Sequence, residues 1–208
     1  MLDVPLLIGG QSCPARDGRT FERRNPVTGE LVSRVAAATL EDADAAVAAA
    51  QQAFPAWAAL APNERRSRLL KAAEQLQARS AEFIEAAGET GAMANWYGFN
   101  VRLAANMLRE AASMTTQING EVIPSDVPGS FAMALRQPCG VVLGIAPWNA
   151  PVILATRAIA MPLAVGTSLA AAVTRIASNG PLLGQPSQPL PCLAETLCRS
   201  SCRNRRLA

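Results

Sequence analysis

Apolar and polar positions along the chain change period three times. In residues 5–38 short apolar runs are closed by turn formers. Leu6-Leu7-Ile8 stops at Gly9-Gly10, and Thr20-Phe21 leads into Asn25-Pro26-Val27-Thr28-Gly29. Proline presets φ at one turn position and glycine supplies positive φ at another, so residues 31–35 are predicted to return as the second arm of a hairpin. From Thr39 the period becomes helical. Thr39 is an N-cap candidate, Glu41 and Asp42 occupy the first turn, and Ala43, Val47, Ala50 and Phe54 share one face. Pro55 and Pro62 are predicted to close this helix and open the next. Leu69/Leu70, Ala73, Leu76, Phe83/Ile84 and Ala87 mark one amphipathic helix that Gly88 ends. A third, over 92–116, carries Trp96, Phe99, Leu103, Met107/Leu108, Ala111 and Met114, read as a packing stripe.

Beyond Asn119-Gly120 the pattern turns extended. Residues 130–137 alternate Phe131, Met133 and Leu135 with small or polar neighbours, which predicts a half-buried strand. Residues 141–146 are continuously apolar, as in a parallel-sheet strand covered on both faces. Pro147-Trp148-Asn149-Ala150-Pro151 forms a loop, and Pro151 suits the first turn of a helix through Leu163. A second buried strand should follow, but no such pattern is evident. Four prolines between 181 and 191 interrupt what comes next, and no period of two or 3.6 survives.

Composition sharpens this division. Five of the 19 basic groups but only one of the 16 acidic ones fall in residues 166–208, so the net charge of +3 belongs to that stretch. Three of the five cysteines (Cys192, Cys198, Cys202) crowd there too. Two regions are therefore expected: 1–166, and a basic low-complexity tail, 167–208, expected to be disordered. The chain has no histidine, which excludes Ser-His-Asp and Cys-His systems and imidazole metal ligands. Aromatics make up 4%, too few for a base-stacking surface, and no nucleic-acid partner is expected. The N-terminus lacks the charged and apolar regions of a signal peptide, and no apolar run would span a bilayer. A cytoplasmic location without membrane contact is expected, with the cysteines as thiols.

The loop after the buried strand carries the most chemistry. Ligands in open α/β sheets bind at the carboxyl ends of strands, and an asparagine amide there could donate to an oxyanion. The structural alternative is that Asn149 caps the following helix. The C-x5-C-x3-C spacing of the tail cysteines is a poor zinc pattern, and nothing around them would hold a reactive thiolate. No metal site is expected, and Cys139 is read as a small buried residue.

Residues 138–151, PCGVVLGIAPWNAP, resemble the PxGVV…I.PWN.P motif of the NAD(P)-dependent aldehyde dehydrogenase superfamily. Asn25-Pro26-Val27-Thr28-Gly29-Glu30 is similar to that family's NPxTGE turn. Residues 46–57, AVAAAQQAFPAW, resemble its AV.AA..AF..W helix, and Glu64-Arg65-Arg66 its ER segment. The likeness runs from about residue 7 to 166, and residues 92–137 look closest to the bacterial aromatic-aldehyde members, the vanillin and salicylaldehyde dehydrogenases.

The resemblance implies an α/β fold: a β-hairpin arm, helices and the first half of a Rossmann-like parallel sheet. It implies oxidation of an aromatic aldehyde to the acid with NAD, or NADP, in a homo-oligomer. Asn149 matches the asparagine that donates its amide to the thiohemiacetal oxyanion. Ile145, Ala146, Pro147 and Trp148 match the nicotinamide-ribose wall. Ala150, Ile153, Leu154 and Arg157 match tunnel positions, Arg157 being either a partner for a substrate ring hydroxyl or a surface cation paired to an acid. Departures are equally specific. After Gly166 the family continues GNxVVLKxSE, whereas this chain has Thr167, Ala172 and Arg175 at the Asn, Lys and Glu places. The ELGGK and GQxC motifs, with base and nucleophile, are missing. The chain is therefore expected to be an N-terminal portion, inactive alone, whose sequence after Gly166 departs from the family by a shifted or misjoined reading frame. The competing class is a non-enzymatic interaction module or oligomer partner with an Arg-rich tail.

Overall fold

A computed structural model describes residues 2–147 and 149–174. Its arm forms as the turn residues dictate. β1 (Leu2–Val4), β2 (Leu6–Ile8) and β3 (Gln11–Cys13) precede β4 (Thr20–Arg24) and β5 (Leu31–Ala36). β4 and β5 pair antiparallel, β1 adds in parallel to β5, and β2 pairs with β3. In the β4–β5 turn Asn25 Oδ1 accepts the Val27 N–H at 2.8 Å, and Gly29 takes φ 75°, where a Cβ would be penalised.

α1 (Leu40–Ala58) starts at Thr39 with a full capping box: the Asp42 N–H donates to Thr39 Oγ1, and the Thr39 N–H to Asp42 Oδ2 at 2.9 Å. That backbone N–H, more than any other contact, holds the Asp42 carboxyl below its usual range. Pro55 does not close the helix. It removes one intrahelical donor, yet the Ala59 N–H still reaches the Pro55 carbonyl at 3.1 Å and the last turn survives. The buried side is also offset from the predicted face, since Val47 is exposed while Asp42 and Ala50 are buried.

α2 (Pro62–Ala78) opens on Pro62 as expected but stops early. Arg79, at φ −94° and ψ 17°, breaks the predicted single helix into α2 and α3 (Ser80–Glu85), followed by a 3-10 turn at Ala86–Glu89. The Arg79 guanidinium turns onto Glu82 of the new helix, with 2.9 Å from Nε to Oε1. α4 (Ala94–Met114) buries Val101, Ala104, Ala105, Leu108 and Ala112, while Trp96, Phe99 and Met114 lie partly at the surface. Of the predicted stripe Leu108 and Ala111 do pack inward, whereas its large residues toward the two helix ends do not. Alanines let α4 approach α2 and α5 closely, and Leu69, Leu76, Val152 and Ile159 complete that core.

β6 (Glu121–Ile123) and β7 (Ala132–Ala134) form an antiparallel hairpin whose described residues are all exposed, Phe131, Met133 and Leu135 included. The expected half-burial of this strand fails because nothing described packs on either face. β8 (Val141–Ala146) leads through the proline loop into α5 (Pro151–Ala164) and then β9 (Ser168–Thr174), which lies parallel to β8. The second strand that the pattern did not reveal is therefore present. Ser168-Leu169-Ala170-Ala171-Ala172 carries too little bulk to signal it, and β8 supplies its ladder. β8 itself is covered on one face only. Gly144 and Ala146 point inward, whereas Leu143 is 58% and Ile145 61% exposed. The expected boundary at 166/167 falls in the α5–β9 connection. The remainder of the expected tail, residues 175–208 with Cys192, Cys198 and Cys202, lies outside the described residues.

The carboxyl end of α5 leaves four carbonyls to satisfy, and each finds a donor. Met161 takes the Val165 N–H, Pro162 that of Thr167 at 2.9 Å, and Leu163 both the Gly166 N–H and the Trp57 indole at 3.1 Å. Ala164 takes Arg65 Nε at 3.0 Å, and the same guanidinium also donates to the Leu60 carbonyl. The cation of Arg65 suits the negative end of the helix dipole, which is why a buried arginine is tolerated here. Gly166 closes the helix at φ 89°, and a Cβ there would sit 3.0 Å from Pro138 Cγ. Gly166→Ala is expected to cost about 1–3 kcal/mol, measured as a drop in the urea midpoint of the chain. A neutral result would mean that the turn relaxes freely.

Candidate functional site

Three elements converge at the end of β8. The strand delivers Ile145 and Ala146, the loop follows, and α5 starts at Pro151. Ile145, Pro147 and Asn149 are each exposed, whereas Ala146 is 1% exposed and belongs to the core. Trp148, expected on the cofactor wall, lies outside the described residues. Asn149 does not cap the helix. That position is held by Ala150 (φ −144°, ψ 64°), with no side-chain cap bond, which leaves the Asn149 amide facing outward. Its main-chain carbonyl accepts the Trp96 indole N–H at 3.3 Å.

The tunnel positions separate by environment. Ala150 and Ile153 are buried, Leu154 is half-buried against the core, and Arg157 is exposed. No ion pair involves Arg157 among the described residues, so the acid expected by its surface reading is not found there. From Val141 to Thr156 no residue is charged, and Arg157 is the first cation after the strand. In such a site negative charge on a substrate oxygen would be met by the amide dipole of Asn149 rather than by an ion pair, and an amide donates at any ordinary pH.

Two features of the region carry no signal in the sequence. Trp96, on the predicted packing stripe, stands half-exposed, stacked on Phe99 with centroids 5.6 Å apart and reaching Asn149 across 53 residues. No local signal marks a contact between elements that distant. Cys139 is not the buried residue its small size predicts. The side chain is instead exposed, with Sγ 3.6 Å from Thr167 Oγ1. A separate cavity of about 570 Å³, lined by Gln77, Ser80, Ile84, Asn95, Phe99 and Arg102, shares no residue with the segment 145–157. Among the described residues there is no group of three or more metal-ligating side chains, and no helix is long and apolar enough to cross a membrane.

The model of the aldehyde dehydrogenase family matches residues 14–185. The chain belongs to the aldehyde dehydrogenase family. As an aldehyde dehydrogenase sequence it is 96% identical over 169 residues to a vanillin dehydrogenase of Pseudomonas fluorescens, covering 81% of this chain and 35% of that protein. The crystal structure of a salicylaldehyde dehydrogenase from Pseudomonas putida G7 complexed with salicylaldehyde superposes with a TM-score of 0.78 at 45% identity, covering 81% of this chain and 35% of that one. The structure of PnpE in complex with nicotinamide adenine dinucleotide gives 0.76 at 37% identity, covering 80% and 34%. The chain thus spans about 35% of the length of the curated vanillin dehydrogenase it matches. The partial aldehyde dehydrogenase fold expected from the motifs, with strands and helices in one α/β arrangement, is the one observed.

Proposed function

We propose that this chain carries the oxyanion donor and part of the cofactor wall of an NAD-dependent aromatic-aldehyde dehydrogenase, with NADP as a further possible cofactor. One observation carries the reading. The Asn149 amide stands exposed and unspent on helix capping, just past the carboxyl end of a parallel strand, in a loop without charge. The similarity to vanillin and salicylaldehyde dehydrogenases supports an aromatic substrate.

The residues present fit one side of a nicotinamide cofactor: Ile145 and Pro147 offer an exposed apolar surface beside Asn149, with no charge to repel a hydride acceptor. Bound beside these residues, NAD would supply the hydride-accepting chemistry. Ile145 and Pro147 would hold water away from the substrate carbon, and Asn149 would stabilise the carbonyl oxygen as it gains charge. The sequence offers less to the adenosine side, where Ala172 stands in place of the family's lysine. The complete enzyme is read as a cytoplasmic homo-oligomer acting on a small aromatic aldehyde.

The test is a hybrid in which the matched 169-residue segment of the Pseudomonas fluorescens enzyme is replaced by that of this chain. NADH formation from vanillin by the hybrid, and none above blank by residues 1–208 alone, is expected. An inactive hybrid, or turnover by the chain itself, overturns the reading. The exposed Arg157 is proposed to hydrogen-bond the ring hydroxyl of the substrate. Arg157→Ala in the hybrid should then lower kcat/KM for vanillin about tenfold, a charged hydrogen bond being worth about 1.5 kcal/mol or more, and leave benzaldehyde unaffected. Equal losses on both substrates sink this role.

A further inference from the structure

We infer that Trp96 is a positioning residue for Asn149: its indole N–H, donated to the Asn149 main-chain carbonyl, sets where the oxyanion-binding amide points. The inference rests on the proposed role of Asn149. Among the described residues the loop has few tethers of its own. Pro147 and Pro151 have no N–H to donate, and Ala150 provides no side-chain cap. Among the described residues, the hydrogen bond that reaches the Asn149 main chain from another element is that of Trp96, at 3.3 Å.

Trp96 in turn is held from two directions. The buried Asn100 donates Nδ2 to the Trp96 carbonyl at 2.8 Å, bracing the helix turn from which the indole projects. The ring lies against Phe99 at an interplanar angle of 23°, and the Arg102 guanidinium is 5.8 Å from the centre of that second ring. α4 therefore presents an aligned donor to the loop. Without that donor the Asn149 backbone is free to shift, and a displaced Cα moves the side-chain amide with it. Oxyanion donors act only within a narrow distance range, and a displacement of about 1 Å can cost up to about a hundredfold in rate.

The experiment uses Trp96→Phe, which retains a ring for Phe99 but has no donor, in the active hybrid. The expected result is a fall in kcat of about ten- to a hundredfold, with KM for vanillin within about twofold. In an Asn149→Ala background the same change should cost less than about twofold, since the two act as one unit. A rise in KM with kcat unchanged would make Trp96 a wall of the substrate site and overturn the inference. A full additional loss on top of Asn149→Ala would do the same. An inactive parent hybrid would refute the proposed function instead, and the hydrogen bond would still be decided in the 208-residue chain. There the indole resonance lost in Trp96→Phe should exchange its hydrogen at least about tenfold more slowly than a free indole; unprotected exchange refutes the bond.

Discussion

Asn149→Ala in the hybrid enzyme should lower kcat by about 10²–10³ while leaving stability within about 0.5 kcal/mol of the parent. Both halves follow from the site. The amide is exposed and caps no helix, so its removal leaves no buried group unpaired. The stretch from Val141 to Thr156 has no cation that could substitute for it as charge develops. Asn149→Asp is a stricter version, since it exchanges a donor for a negative charge and should be at least as slow as alanine. Steady-state rates with vanillin, alongside melting curves of the 208-residue chain, measure the two halves separately. A loss of stability with unchanged kcat would make Asn149 a structural turn residue.

The second large effect concerns the core. Leu108 is fully buried at the centre of α4, among Leu76 of α2 and Ile159 of α5. Leu108→Ala should destabilise the chain by about 2–5 kcal/mol, the transfer and cavity costs together, against a total of about 5–15 for an ordinary domain. The alanines around it are already at their smallest and cannot expand into the gap, which favours the upper part of that range. Leu135→Ala is the control: it is of the same chemistry but 68% exposed, so a change within about 0.5 kcal/mol is expected. Urea unfolding of both variants decides, and equal shifts would mean that α4 is not the core helix.

Much of this was legible beforehand, for reasons that differ by element. The β4–β5 hairpin, the Thr39 cap and the Pro62 helix start were readable because each depends on a local residue with a special backbone preference. Asn149 is singled out by the PWN.P motif it sits in, a local pattern that needs no tertiary contact to be read. What was illegible depended on distant or featureless partners. α1 and α4 are so rich in alanine that several faces fit the helical period: Val47, Trp96 and Phe99 fit it but lie at the surface, while Leu108 and Ala111 fit it and are buried. β9 has few bulky residues and owes its place to the ladder of β8. The exposure of Leu143, and the reach of Trp96 to Asn149, are set by what does or does not pack nearby, which no local pattern encodes.

The donors that close α5 also impose an order of events. Trp57 and Arg65 stand 106 and 99 residues upstream of the carbonyls they satisfy. On a ribosome the first helices therefore emerge well before α5, and the caps are in place when its last turn arrives. In refolding from denaturant the same contacts must close loops of about a hundred residues, at an entropic cost that local helices do not bear. A version lacking residues 1–65 would keep the local donors of Val165, Gly166 and Thr167 but deliver α5 with the Ala164 carbonyl unmet.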